Sequence, residues 1–339
     1  MHPQTDTLEF DEYRLKLPDP NMIPRLWRFY NRLQTHLRSS PFSTDVNTCA
    51  IIDGKSIAND IKSSVADEIN KMKNCIGKCP GLGIVLVGQR HDSHTFIRLK
   101  LRACHEVGIA TFLKQLPEDC SQDEVYHVVS KLNDDPDVHG VIVQLPLPRH
   151  LNEDKVVEFV SPEKDVDGLH PLNIGMLAMG RDPFFIPCAP KACIELLLRQ
   201  GIEITGSRVV VLGKSKISGL PISLLLQSHL ATVSTLHAFT DNPEHVTRQA
   251  DIVVSDVGNP NVVRGHWLKP GAIVIDMGAT QVKDSSRQCG FRITGDVCYE
   301  EANKVVSAIT PVPGGAGPVT ISMLLSNTLE SAKRAFRFG

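Results

Sequence analysis

No stretch of this 339-residue chain is apolar over the roughly 18 to 20 residues that a membrane-spanning helix needs. An excess of either charge is also lacking. The 36 basic and 38 acidic residues leave a net charge of −2, so nothing in the balance asks for a nucleic acid or an anionic membrane as partner. Nine cysteines are present, but without metal-binding spacing. The nearest pairs, Cys75 with Cys79 and Cys188 with Cys193, form neither a paired CxxC nor a CxxC with HxxxH. They read as reduced thiols of an intracellular protein, and no metal site is expected. Internal repeats and low-complexity segments are absent too.

What remains is an ordinary globular composition, 42% hydrophobic and 22% charged, on a chain long enough for two domains. The beginning is the exception. Residues 1–21 are acidic and contain proline, whereas the run from Met22, "MIPRLWRFYNRLQTHLRSSPF", carries Arg25, Arg28, Arg32 and Arg38 and no acid. Its amphipathic, arginine-rich character is that of an organelle transit peptide, the alternative being a surface helix packed on the body. Residues 1–48 are therefore set apart as an N-terminal extension.

From Ala50 onward two periods alternate. "IANDIKSSVADEINKM" and "FIRLKLRACHEVGI" repeat apolar residues at helical spacing, the second closing at Gly108, while "LGIVLVG" is a continuous apolar strand. "SQDEVYHVVSKLNDDPDVHG" is a helix with a polar start that leads into the strand "VIVQLPLP". A second block opens with the helix "PKACIELLLRQG" and continues through the strands "RVVVLG", "ATVSTLHA", "ADIVVSDVG" and "GAIVIDMGA". Strands alternating with helices imply an α/β fold with parallel βαβ units and sites at the carboxyl ends of the strands; the second block describes a doubly wound, Rossmann-like dinucleotide domain. The closing helix "ISMLLSNTLESAKRAF" must bury an apolar face against one of the two.

Candidate chemistry gathers at strand ends. In "VVVLGKSKISGLP" a buried strand stops at Gly213 and a turn feeds a helix, which aims N–H groups and a positive helix end at an anion. A Walker A loop would need glycine where Arg208 stands, and Ser215 and Gly219 replace the later glycines of GxGxxG. The next strand ends in His237-Ala238-Phe239, so no carboxylate is present there to repel a ribose phosphate. In "ITPVPGGAGPVT", Pro311, Pro313 and Pro318 with Gly314, Gly315 and Gly317 favour a rigid ligand-facing turn, after which Thr320 caps or begins the last helix. Gln144 lies at a strand end, and Asp165 and Asp167 precede Gly168 with their side chains facing the same way if the chain is extended. Such an acid accepts bonds from an amino heterocycle or caps a turn. In "DSHTFIRLK" the spacing of Phe96 and Lys100 puts both on one helix face.

Taken in order and spacing, "DSHTFIRLK", "VQLPLP", "PEKDVDGLHPLNIG", "VVVLGKSKISGLP", "GAIVIDMGA", "GDV" and "ITPVPGGAGPVT" resemble the bifunctional methylenetetrahydrofolate dehydrogenase/methenyltetrahydrofolate cyclohydrolase family, the FolD type, over residues 50–336, in a plant-like form. The resemblance implies a catalytic domain of residues 49–190 joined by 321–336, an NAD(P)-binding domain of residues 191–320, a tetrahydrofolate derivative held between them, and NADP as cofactor with NAD as the alternative. It further implies oxidation of 5,10-methylenetetrahydrofolate to the methenyl form, hydrolysis of that cation to 10-formyltetrahydrofolate, and a homodimer formed through the second domain. Lys100, Gln144 and Asp167 fall on the family's catalytic lysine, the glutamine that bonds it and the aspartate that holds the pterin. Phe96, Val143, Leu145, Pro313, Gly314 and Gly315 fall on the folate site, and Gly213, Lys214, Ser215, Gly219, Ala238, Gly278 and Ala279 on the cofactor site. With the arginine-rich run from Met22 read as a transit peptide, the protein is expected in the mitochondrion, the alternatives being plastid and cytosol.

Several positions depart from the family pattern. The tyrosine of Y-x-x-x-K is Phe96, which keeps a ring for stacking but has no hydroxyl to bond Lys100 or relay a proton, so ring opening is expected to be impaired. Lys214 replaces an arginine and Ala238 a serine, removing hydrogen bonds that suit a phosphate. Ala189 and Ala192 replace threonine and glycine near the domain junction. A catalytically weak paralogue that binds folate or dinucleotide, or pairs with an intact subunit, is the competing expectation.

Overall fold

Apolar runs and glycine stops lay out the chain much as their periods imply. A computed structural model describes residues 49–286 and 290–338, all within one compact unit, Ser39–Gly339. The expected extension of residues 1–48 lies outside the described residues. In chain order the elements are β1 (Ala50–Ile51), α1 (Gly54–Ile76), β2 (Gly81–Val87), α2 (His91–Val107), β3 (Ala110–Leu116), α3 (Gln122–Asp134), β4 (Gly140–Val143), α4 (Glu153–Phe159), α5 (Pro171–Ala178) and α6 (Cys188–Arg199). They continue with β5 (Arg208–Leu212), α7 (Gly219–Ser228), β6 (Thr232–Leu236), α8 (Pro243–Thr247), β7 (Ile252–Ser255), β8 (Ile273–Asp276), β9 (Thr280–Lys283), β10 (Phe291–Thr294), α9 (Tyr299–Ala302), β11 (Ala308–Ile309) and α10 (Ala316–Phe336).

Two parallel sheets result, as expected of βαβ units. The first has the order β3-β2-β4, and its central strand is buried at every residue. The second has six strands in the order β1-β11-β8-β7-β5-β6, while β9 and β10 form a separate antiparallel hairpin. Local signals fix the helix ends. Ser121 and Glu124 close a capping box at the start of α3, and Gly108 ends α2 at a φ of 87°.

Two segments differ from the sequence-based expectation. Residues 50–51 were assigned with the first domain, yet β1 joins the second sheet, where Ala50 N–H donates to Ser307 (2.8 Å) and Ile52 N–H to Ile309 (2.9 Å). A strand of only two residues carries no period of its own, and the open edge of β11 recruits it. Thr320, expected to cap or begin the last helix, lies a turn inside it and donates back to the Ala316 carbonyl (3.0 Å). The helix starts at Ala316 because Pro318 in its first turn needs no N–H partner there.

Candidate active site

Helix α2 buries Ile97, Ala103, Cys104 and Val107 and turns Phe96, 43% exposed, outward on the side of Lys100. Parallel pairing of β2 with β4 extends one residue past the strand, because Gln144 N–H donates to Val85 (2.9 Å). Its amide is thereby delivered to the middle of α2, at Lys100. Lys100 Nζ donates to Gln144 Oε1 at 3.2 Å, and Gln144 Nε2 donates to the Leu145 carbonyl at 2.7 Å, which sets the amide oxygen toward the ammonium. Among the described residues no carboxylate is ion-paired with Lys100. A neutral partner orients the amine without pinning its proton as an acid would.

Asp165 and Asp167 do not share one environment. Asp165 is buried, bridges to Val141, and accepts bonds from His170 N–H (2.7 Å) and Asn173 Nδ2 (2.9 Å); burial pushes its carboxyl up, against the pull of those bonds. It braces the loop. Asp167 is half-buried, and it lines a small cavity with Val143, Asp165 and Leu169. Gly168 follows at a φ of 76°, and a Cβ there would come within 2.6 Å of the Pro187 nitrogen. Asp167, Lys191 and Lys100 all act on the buried Cys188 thiol, which burial and then Asp167 raise and the two lysines lower. These charges therefore lie within electrostatic reach of Cys188, the first residue of α6.

Helix α10 grips that junction. Asn327, 2% exposed, donates through Nδ2 to Val166 (2.9 Å) and Ile186 (3.1 Å), while its Oδ1 accepts from Lys191 Nζ (2.7 Å). One turn later Ser331 Oγ donates to His139 (2.5 Å) and Glu163 (3.2 Å). Burial pushes the Lys191 ammonium down, so its bond to Asn327 is what keeps a buried cation satisfied. Asn327→Ala is expected to cost about 2 to 4 kcal/mol, read as a lower urea midpoint, because it strands that cation and two carbonyls together.

Pro313, Gly314 and Gly315 sit elsewhere, after β11, and are pressed on α1 rather than bonded to Lys100. Gly314 has a φ of 113°, a Cβ on it would come within 3.3 Å of Lys55 Cε, and a Cβ on Gly54 would overlap the Gly315 carbonyl. The loop and the start of α1 are thus in backbone-to-backbone contact.

On the second sheet, Gly213 ends β5 at a φ of 111°, where a Cβ would overlap the Asp256 carbonyl; a Cβ on Gly219 would stand 2.6 Å from the Gly213 oxygen. A Cβ on Gly278 would overlap the Asp296 carboxylate. At these glycines the strand ends and turns close directly on one another, an approach that only bare backbone permits. Lys214, Ala238 and Ala279 are exposed, as is Phe239, which follows Ala238 in the chain. Ser215 Oγ donates to Asp256 Oδ2 (2.6 Å) and accepts from Ser218 N–H (3.1 Å) and Gly219 N–H (3.2 Å).

Three acids went unnoticed in the sequence. Asp296 is fully buried and accepts from Val257, Gly258 and Asn259 N–H and from Ser255 Oγ. Asp276 accepts from Gly278, Asp296 and Val297 N–H, and burial pushes its carboxyl up to about 6. Asp256 holds Ser215 and Gly219. A usable signal existed: "IVVSD", "AIVID" and "RITGD" each put an aspartate just beyond an apolar or β-branched run.

Residues 52–167 match the family model for the tetrahydrofolate dehydrogenase/cyclohydrolase catalytic domain, and residues 187–336 match that for its NAD(P)-binding domain. Mitochondrial bifunctional protein FolD 1 of Arabidopsis thaliana is 59% identical over 296 residues, covering 87% of this chain and 84% of the relative. Chloroplastic bifunctional protein FolD 4 of the same plant is 58% identical over 289 residues, covering 85% and 80%. Among solved structures, methylenetetrahydrofolate dehydrogenase-cyclohydrolase (FolD) of Trypanosoma brucei, complexed with NADP and an inhibitor, superposes with a TM-score of 0.83 at 43% identity, covering 86% of this chain and 99% of that one. With both domain models matched in order and a 59% identical relative covered over most of its length, this chain belongs to the tetrahydrofolate dehydrogenase/cyclohydrolase family.

Proposed function

We propose that this chain oxidises 5,10-methylenetetrahydrofolate with NADP and hydrolyses the methenyl product to 10-formyltetrahydrofolate, the second step being slowed by Phe96. The observation that carries the reading is the Lys100 to Gln144 bond of 3.2 Å, which presents an amine free of any carboxylate partner among the described residues. Beside a methenyl folate that amine takes a proton from attacking water and returns it as the ring opens. Gln144 orients it, Asp167 binds the pterin's amino edge, and Phe96, Val143, Leu145, Pro313, Gly314 and Gly315 line the folate. When bound, NADP accepts the hydride from the methylene carbon. Gly213, Lys214, Ser215, Gly219, Ala238, Gly278 and Ala279 are the residues assigned to hold it, with NAD as the weaker alternative.

The same reading assigns residues 49–190 and 321–336 to folate, residues 191–320 to the cofactor, and homodimer formation to the second domain. Residues 1–48 are read as a transit peptide to the mitochondrion, ahead of plastid or cytosol. Mitochondrial and chloroplastic relatives alike support an organelle. The second reading, a weak paralogue, draws support from Phe96, Ala189 and Ala238.

Purified full-length protein should reduce NADP when given methylene folate, followed by the absorbance of reduced nicotinamide. Absence of turnover with NADP and NAD, in a protein that still binds either, would leave the paralogue reading in its place. Phe96→Tyr is expected to raise hydrolysis of methenyl folate at least about tenfold, by restoring a hydroxyl four residues before Lys100. An unchanged rate would show that the hydroxyl is not what ring opening lacks.

A further inference from the structure

Among the three strand-end acids of the second sheet, Asp256 alone turns its carboxylate into the Gly213–Gly219 turn. Pairing of Leu212 with Ser255 sets it level with Gly213, and its own N–H donates to Leu212 at 2.7 Å, so its backbone is part of the ladder. Asp256 Oδ2 accepts from Ser215 Oγ at 2.6 Å and from Gly219 N–H, at the start of α7, at 3.1 Å. Asp276 and Asp296 spend their oxygens on backbone N–H groups beyond β7, β8 and β10 and, for Asp296, on the Ser255 hydroxyl. The hydroxyl and helix-end N–H held by Asp256 are the donor types that such a turn offers to a phosphate.

We propose that Asp256 is an intramolecular competitor for the cofactor's phosphates: its carboxylate holds the donors of the Gly213–Gly219 turn, and a dinucleotide must displace it to bind. The proposal rests on the reading that this turn takes the pyrophosphate. Two consequences act in the same direction. Ser215 and Gly219 must exchange one anion for another, so their bonds add little to affinity, and the displaced carboxylate stays beside a pyrophosphate of the same sign. Asp256 therefore sets the affinity for dinucleotides of either kind, ahead of any choice between NADP and NAD at Lys214 and Ala238.

The test is equilibrium binding of NADP to the full chain by titration calorimetry, for the native protein, Asp256→Ala and Asp256→Asn. Asparagine keeps an oxygen for Ser215 and Gly219 and removes the charge, so it separates repulsion from packing, and a melting curve on each variant verifies the fold. Both variants are expected to bind NADP at least about tenfold more tightly than the native chain. Inorganic pyrophosphate should displace NADP from the Asn variant at lower concentration than from the native protein. Binding that is unchanged or weaker in a folded Asp256→Asn overturns the competitor, while leaving the dinucleotide site intact. Failure of all three proteins to bind NADP overturns the site itself and the competitor with it.

Discussion

Replacing Lys100 with methionine is expected to slow the hydrolysis of methenyl folate by about 10²- to 10⁴-fold, the range that a positioned acid/base group contributes. Methionine keeps an unbranched stem against α2 and removes only the amine, so the loss reports chemistry rather than packing. Arginine at the same place should fail similarly, because a guanidinium does not release its proton near neutral pH. Gln144 Oε1 is the amine's partner, so Gln144→Leu should lose less, with the amine present but unaimed. Binding of NADP should not change in any of these proteins. A Lys100→Met enzyme that opens the ring at the native rate would remove this residue from the mechanism.

Gly54→Ala is expected to lower stability by at least about 3 kcal/mol, the upper end of what overpacking costs, and to disturb folate binding with it. The added methyl group would overlap the Gly315 carbonyl, and neither side of that contact is a flexible side-chain end. One side is the first residue of a 23-residue helix fastened by Asp53, which accepts from Lys55 and Ser56 N–H; the other is the N-cap of α10. Relief has to come from moving the Pro313–Gly315 loop. Chemical denaturation gives the stability, and the KM for methylene folate should rise while the affinity for NADP holds. A native midpoint would mean that the loop yields without cost.

The larger elements were legible because each repeats a period long enough to be counted. The helical spacing through Ile57, Ile61, Val65 and Ile69 and the unbroken run Gly81–Val87 leave few alternatives. Family likeness then picked out Lys100 and Gln144 as partners, and the geometry joins them directly. What could not be read has one cause, that a hydrogen bond between residues far apart in sequence leaves no local pattern. Asn327 is a single polar residue within the apolar run of the last helix, yet it holds carbonyls 161 and 141 residues away. Asp165 and Asp167 looked alike because alternation in an extended strand was assumed, and the turn into Gly168 breaks it. Strand-end acids such as Asp296 went unnoticed, since most of their partners are main-chain N–H groups that any sequence supplies.

The crossing of the chain's two ends has a consequence for biosynthesis. β1, made first among the described elements, pairs only with β11, and α10, made last, supplies Asn327 and Ser331 to the segments that carry Gln144 and Asp167. Neither half is a closed stretch of sequence. On the ribosome a domain ordinarily folds as it emerges, but here the catalytic side has no Asn327 clamp until α10 emerges. The nascent chain must keep β1 unpaired until β11 emerges, and a chain cut before α10 would lack the Asn327 and Ser331 bonds to the segments beside Gln144 and Asp167.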